Sequence, residues 1–339
     1  MLLYPNCKIN IGLRVLNKPE DGYHNIETIF VPIYGLHDEL EVNISDTFHF
    51  TQEGIAVDCN DEDNLIIRCY RQMAARYPRI GGVSIRFKKN IPFGAGLGGG
   101  SSDAAHMAIA LNELFSLGLS KEQLATEVRS LGADCPFFIY NTPCYASGIG
   151  DELLPIDLDM RGLRILMVKP NEGVSTREAY SGIIRHPEVA NAILEKLQSN
   201  SHLKELLTSY PSIFINDFEQ TVFPLHPSIA AIKKRLQDAN ALYACMEVAQ
   251  LFSGFLMTIR KVEPTPCCEC LSRSLPPWYC STIRLASGNP NPHPLSLVVY
   301  PASKMCRCVL PSIPLPLSLI SSITSCSFSQ IVIVILPSF

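Results

Sequence analysis

Five glycines fall within seven residues of this chain, in Pro92-Phe93-Gly94-Ala95-Gly96-Leu97-Gly98-Gly99-Gly100-Ser101-Ser102-Asp103. Only glycine reaches the φ angles that turn successive backbone N–H groups inward around an anion without a Cβ clash. The run continues into Ala104-Ala105-His106-Met107-Ala108-Ile109-Ala110-Leu111, a stretch of strong helix formers. A helix starting there adds unpaired N–H groups and the positive end of its dipole. The segment reads as a phosphate cradle. No Gly-Lys-Ser/Thr closes it and the glycine spacing is not that of a dinucleotide fingerprint, so both of those motifs are excluded. The other reading is a flexible loop capped by Ser101 or Ser102.

A phosphate cradle becomes a catalyst for phosphoryl transfer when a cation and a carboxylate join it, one to stabilise the moving group and one to take the acceptor's proton. Two residues have suitable settings. Asp134 lies between Leu131-Gly132-Ala133 and Cys135-Pro136, at a break where a carboxylate can project into a cleft. Lys8 lies in Lys8-Ile9-Asn10-Ile11-Gly12-Leu13. On a strand Asn10 shares its face. Taken alone, Asp134 better suits a helix N-cap and Lys8 a solvated strand position.

The order Pro-x-Gly-x-Gly-Leu-Gly-Gly-Gly-Ser-Ser-x-Ala-Ala resembles the ATP-binding loop of the GHMP kinases, small-molecule kinases named for galactose, homoserine, mevalonate and phosphomevalonate. Three further segments match in order and spacing: the Lys8 strand, Asp21-Gly22-Tyr23-His24 followed by Glu27-Thr28, and Leu131 to Phe138. Together with the triple glycine they resemble the branch whose acceptor is 4-diphosphocytidyl-2-C-methyl-D-erythritol, an intermediate of non-mevalonate isoprenoid synthesis. The resemblance covers about residues 3–246.

It implies ATP and Mg²⁺ as the phosphoryl source, with Pro92, Gly94, Gly96, Leu97, Gly98, Gly99, Gly100, Ser101 and Ser102 around the nucleotide. It implies that Asp134 takes the proton of the acceptor hydroxyl and that Lys8 lies beside it. Ser101 and Ser102 would donate to phosphate or help place Mg²⁺, or else cap the helix; Asp103 would stabilise the helix N-terminus. For the cytidine end it implies the Gly22-Tyr23-His24 turn. Tyr23 and Tyr180 are candidate aromatic plates and His24 a polar reader, against core packing for Tyr180 and a backbone-bonded structural role for His24. The implied partner is a small molecule, not nucleic acid or membrane. The alternatives are another GHMP kinase of homoserine or mevalonate type, which the Gly-Tyr-His turn and triple glycine disfavour, and a non-catalytic product.

These groups need strands and helices to hold them. Strand patterns cover Lys8 to Val15, Ile26 to Ile33, Glu39 to Ile44, Val83 to Phe87, Cys144 to Ser147 and Leu163 to Val168, with Thr47 to Phe50 as a further candidate. Helical patterns run from Asn64 to Ala75, from Ser101 to Leu114, from the capping box at Ser120 to about Ser130, and from Ser175 or Thr176 through Ile183. The mixture is α+β without a regular βαβ repeat. The resemblance implies a ribosomal-protein-S5-like N-terminal domain over 1–158, with a left-handed βαβ feature, and a ferredoxin-like C-terminal domain over 159–246. Asp63-Asn64-Leu65 would face the nucleotide or cap a helix. Asn216-Asp217-Phe218-Glu219 is recognisable without a derivable role.

Composition changes at about Met246. Residues 247–339 hold 9 of the 60 charged residues but 7 of the 13 cysteines and 12 of the 25 prolines, which is not the make-up of a packed kinase domain. GHMP kinases carry a second glycine loop of the type Met-Ser-Gly-Ser-Gly-Ser here. Back-translated with ordinary codons and read from the last base of the Met246 codon, the chain continues Gly-Ser-Gly-Ser-Ala-Val-Phe-Gly-Ile-Phe-Asp-Asp. The expectation is a frame change at residue 246, a truncated second domain, and a tail over 247–339 that is out of frame or disordered. Cys267, Cys268, Cys270, Cys280 and His293 then make no zinc site, since paired ligand spacing is missing. Residues 317–336 approach the length of a membrane span, but their serines and the prolines before them favour an aggregation-prone strand.

A net charge of −4 argues against nucleic acid as the main partner. No basic stretch leads into an apolar run before Lys8, and the six cysteines up to Cys245 have no metal spacing. Both point to a bacterial cytoplasm with reduced thiols.

Overall fold

The computed structural model describes residues 1–16, 24–56, 60, 62–161, 163–169, 174, 176–183, 191–238, 241–247, 255–261, 282–283, 297–299 and 332–336. Tyr23, Ser175, the cysteines from 267 to 280, His293 and residues 317–331 lie outside the described residues. The chain divides into two units, Met1–Asp157 with Arg185–Leu197, and Leu158–Ile184 with Gln198–Phe339.

The first unit contains strands β1 (Leu2–Leu3), β2 (Asn6–Val15), β3 (Ile26–His37), β4 (Glu39–Ile44), β5 (His49–Gly54), β6 (Val83–Lys89), β7 (Cys144–Ser147) and β8 (Glu152–Pro155). Its helices are α1 (Leu65–Arg76), α2 (Gly99–Leu114), α3 (Lys121–Arg129) and α4 (Cys135–Tyr140). One sheet has the order β1-β4-β6-β5 and the other β2-β3-β7-β8. The β5–β6 pair is parallel, with α1 as the crossover, so one βαβ unit is present; the other pairs of these sheets are antiparallel.

The β2 strand is buried at all ten positions, and from Cys7 to Ile11 it alternates strictly, Cys7, Ile9 and Ile11 on one face and Lys8 and Asn10 on the other. Period 2 thus assigns one face to the core and one to polar chemistry. Its register against β3 slips at Gly12, a bulge that Thr28 secures by donating its hydroxyl to the Gly12 carbonyl at 2.5 Å. Helix α2 lies deep in the core. Ala104, Ala105, Ala108 and Ala110 are all fully buried, and small side chains are what let a helix be surrounded on most sides.

The second unit holds β9 (Leu163–Lys169), α5 (Thr176–Ser181), α7 (Leu203–Ser209), α8 (Glu219–Leu225), α9 (Pro227–Asp238), β10 (Tyr243–Glu247) and β11 (Phe255–Lys261). Helix α6 (Ala192–Ser199) begins in residues assigned to the first unit. With β12 (Thr282–Ile283), β13 (Leu297–Val299) and β14 (Val332–Leu336), the strands form a sheet of order β10-β11-β9-β14-β13-β12, in which only β13–β14 is parallel. The fold class is α+β in two units. Among the described residues no helix is long and apolar enough to cross a membrane.

Candidate active site

The glycine loop occupies residues 90–98, between the end of β6 and the start of α2. Gly94, Gly96 and Gly98 have φ of 67°, 74° and 66°, while Ala95 and Leu97 between them are buried in the core. The alternation explains the glycine spacing. Buried side chains anchor every second residue, and the residues between take the left-handed conformation that directs their amides to one side. Gly98 is the N-cap of α2 and supplies no side-chain cap, so the N–H groups of the first turn stay available to an anion. The helix therefore starts two residues before Ser101, and neither serine caps it. Ser101 hydrogen-bonds Cys135, whose thiol burial pushes up to about 12. Ser102 is fully buried, its amide donates to the Gly98 carbonyl at 2.9 Å, and its Oγ lies 3.4 Å from His106 Nδ1.

Lys8 comes to this loop from β2. Its backbone N–H donates to the Leu97 carbonyl at 2.9 Å, and a Cβ on Gly98 would lie 3.2 Å from Lys8 Cγ and 2.9 Å from the Phe138 ring. The Lys8 ammonium donates to Asn10 Oδ1 at 2.9 Å, lies 3.6 Å from Asp134 Oδ2, and sits 4.7 Å from the Phe30 ring centroid. Asp134 occupies the N-cap position of α4 with helical backbone angles, but its side chain makes no capping bond. A carboxylate at a helix start that does not cap the helix is free for another task. Its side chain is 27% exposed, whereas that of Lys8 is 5% exposed. The loop, Lys8, Asn10 and Asp134 are thus one constellation within the first unit.

The remaining sequence candidates distribute differently. Asn64 is the N-cap of α1 and accepts from the Ile66 amide at 3.0 Å. His24 is half-buried just before β3. Tyr180 sits on α5 with its ring edge-on to Phe218, the centroids 4.7 Å apart. Asp103 departs from its expected role at the helix terminus. It lies within α2 and turns inward, accepting from Lys89 Nζ at 2.8 Å. Lys89 also donates to Asp38 Oδ2 at 2.5 Å, and the three side chains are 0–5% exposed. Sequence reasoning did not single out Lys89 or Asp38, although a signal was present. Val83, Ile85, Phe87 and Lys89 share the inward face of an alternating strand, and a lysine in that series must find a buried partner.

Asn216 and Glu219, recognisable but without a role in the sequence, grip one residue. The Asn216 amide donates to the Met246 carbonyl, Glu219 Oε1 accepts from the Met246 N–H at 2.9 Å, and Lys233 pairs with Glu219.

Known proteins repeat this arrangement of segments. A family profile described as GHMP kinases N terminal domain matches residues 64–142. The 4-diphosphocytidyl-2-C-methyl-D-erythritol kinase of Parabacteroides distasonis is 44% identical over 246 residues, 73% of this chain and 88% of that protein. Its namesake from Bacteroides thetaiotaomicron is 43% identical over 251 residues, with the same shares. A crystal structure of 4-(cytidine 5'-diphospho)-2C-methyl-D-erythritol kinase superposes with a TM-score of 0.59 at 31% identity, covering 76% of this chain and 89% of that one. A homoserine kinase from Cytophaga hutchinsonii, 17% identical, shares the fold at a TM-score of 0.53 over 75% of this chain and 84% of that one.

Proposed function

This chain belongs to the 4-diphosphocytidyl-2-C-methyl-D-erythritol kinases, a branch of the GHMP kinases, and on that premise we propose that Lys8 and Asp134 carry its phosphoryl transfer to the 2-hydroxyl of that acceptor. The protein is an ATP-using kinase of isoprenoid precursor synthesis. The observation that carries the proposed roles is the placement of an ammonium and a non-capping carboxylate 3.6 Å apart against the glycine loop. Asp134 accepts the acceptor hydroxyl's proton as that oxygen attacks the γ-phosphorus. Lys8, held by Asn10, neutralises charge on the transferring oxygens. The loop amides between Pro92 and Gly100 and the first turn of α2 hold the phosphates. Ser101 presents its hydroxyl on the side of α4; Ser102 contributes through its place in the helix.

Mg²⁺ fits this donor set. Among the described residues no three acidic, histidine or cysteine side chains gather into a metal cage. Mg²⁺ in kinases keeps several waters and needs one or two protein oxygens besides the phosphates. The Ser101 hydroxyl would supply a hard oxygen ligand beside the phosphates and waters, and the bound ion would offset phosphate charge. Tyr23 and His24 are proposed contacts of the cytidine, and a bacterial cytoplasm, where ATP is plentiful, is the proposed location.

The test is ADP release with Mg-ATP and three acceptors, 4-diphosphocytidyl-2-C-methyl-D-erythritol, homoserine and mevalonate, followed by Asp134→Asn. Turnover is expected with the first acceptor alone, and Asp134→Asn should lower kcat by about 10²–10⁴ while acceptor binding persists. A variant with kcat close to wild type removes Asp134 from the role of base.

A further inference from the structure

We propose that Asp38, Lys89 and Asp103 form a staple that fixes the two ends of the phosphate loop, and that Lys89 is a positioning residue for the phosphates of ATP. The inference rests on the kinase reading for its ligand, but its geometry stands alone. The loop leaves β6 at Lys89 and enters α2 at Gly99. Lys89 Nζ reaches across this gap to Asp103 on the second turn of α2, at 2.8 Å. Asp38, just beyond β3, serves the loop's entry: its Oδ2 accepts from Lys89 at 2.5 Å, and its Oδ1 accepts from the amides of Asn90 and Ile91 at 2.5 and 2.7 Å. Asn90 adds a bond from its side chain to the His37 carbonyl at 3.1 Å. Entry and exit of the loop are therefore tied to one ammonium. That ammonium also supports the first helical turn directly, since a Cβ on Gly99 would come within 3.0 Å of it.

Stability alone does not explain three charged side chains in the core. Desolvation takes back much of the attraction in a buried ion cluster, and apolar replacements of similar volume are often neutral or stabilising. What a charged cluster supplies and apolar packing does not is direction, because each bond is defined in length and angle.

The experiment uses the full chain, with Lys89→Met/Asp103→Leu to replace the ion pair by apolar packing, and Asp103→Asn to keep an acceptor for Lys89. Thermal unfolding, amide hydrogen exchange of residues 93–100, and equilibrium binding of ATP and of the acceptor are measured. The double variant, which leaves the Asp38 carboxylate bonded to two amides but without its cation, is expected to unfold at a lower temperature, exchange its loop amides faster, and bind ATP about tenfold more weakly with acceptor affinity unchanged, since lost preorganisation falls on the ligand that the loop holds. Asp103→Asn should stay within about threefold of wild type for ATP. ATP affinity unchanged in the double variant, or lost in equal proportion with acceptor affinity, overturns the staple. Wild-type chain that binds ATP but does not turn over 4-diphosphocytidyl-2-C-methyl-D-erythritol overturns the kinase reading and leaves the staple standing; wild-type chain that does not bind ATP overturns both.

Discussion

Gly98 shows how much chemistry one absent side chain can carry. Its φ of 66° belongs to the left-handed region, and the place of its missing Cβ is hemmed in by the Phe138 ring and the stem of Lys8. Gly98→Ala would cost about 1–2 kcal/mol in backbone conformation alone and would push on the very lysine that faces Asp134. Thermal unfolding and steady-state kinetics should therefore both change, with kcat falling more than the conformational cost suggests; an unchanged kcat would mean that the contact with Lys8 is slack. Glu27 offers a test by pH. It is fully buried, its Oε1 accepts from the amides of Ile193 and Leu194 at 2.8 and 3.2 Å, and burial nevertheless pushes its carboxyl above the ordinary value. A raised acid pKa stabilises the fold below the unfolded-state pKa, and that contribution is lost as pH rises through the folded-state value. Wild type should accordingly lose stability relative to Glu27→Gln as pH rises above the ordinary carboxylate range. Urea unfolding of both proteins across that rise checks the sign.

At the scale of elements, legibility in the sequence tracked the strength of the local signal. Alternating strands gave β4 and β7 at their observed bounds, and the Ser120 capping box formed as expected, with Gln123 bonding back to the Ser120 amide. Where a signal was missing, an element was missed. Helix α4 has six residues and an N-cap that does not cap, so only Pro136 announced it. Helix α2 begins earlier than its first good helix former because a glycine in the left-handed conformation ends the loop. The candidate site's parts, the glycines, Lys8 and Asp134, were singled out because each sits in a local sequence pattern, and the structure brings them together; the proposed staple joins residues 38, 89 and 103, and no local pattern reports a meeting of that kind. The Asn216 clamp is a second case. Its amide bonds the Met246 carbonyl and its Oδ1 accepts from the Phe218 amide at 3.0 Å, so one side chain ties the approach of α8 to the end of β10. Asn216→Ala leaves two buried backbone groups unpaired and should cost about 1–3 kcal/mol, read by equilibrium unfolding together with faster exchange of the β10 amides. Loss of stability without faster exchange at β10 would mean that the clamp holds α8 rather than the strand.

The whole molecule turns on the stretch beyond residue 246. The curated relatives align with 88% of their own length but 73% of this one, so roughly a quarter of this chain has no counterpart in them. The clamp holds Met246, the residue after which the chain, back-translated with ordinary codons and read one base out of register, continues Gly-Ser-Gly-Ser. In the chain as written the next residue is Glu247, which is fully buried. The proposal that residues 247–339 are out-of-frame translation rests on these facts taken with the low charge and high cysteine content of the tail. It predicts a difference between two proteins identical up to Met246. The chain carrying the restored frame should be soluble, unfold cooperatively and release ADP with 4-diphosphocytidyl-2-C-methyl-D-erythritol. The chain as written should turn over the same acceptor more slowly and unfold at a lower denaturant concentration, because it lacks native strands that contribute to a total stability of only about 5–15 kcal/mol. Equal turnover by the two proteins would show that the tail completes the second unit in its own way, and the frame change would have to be abandoned.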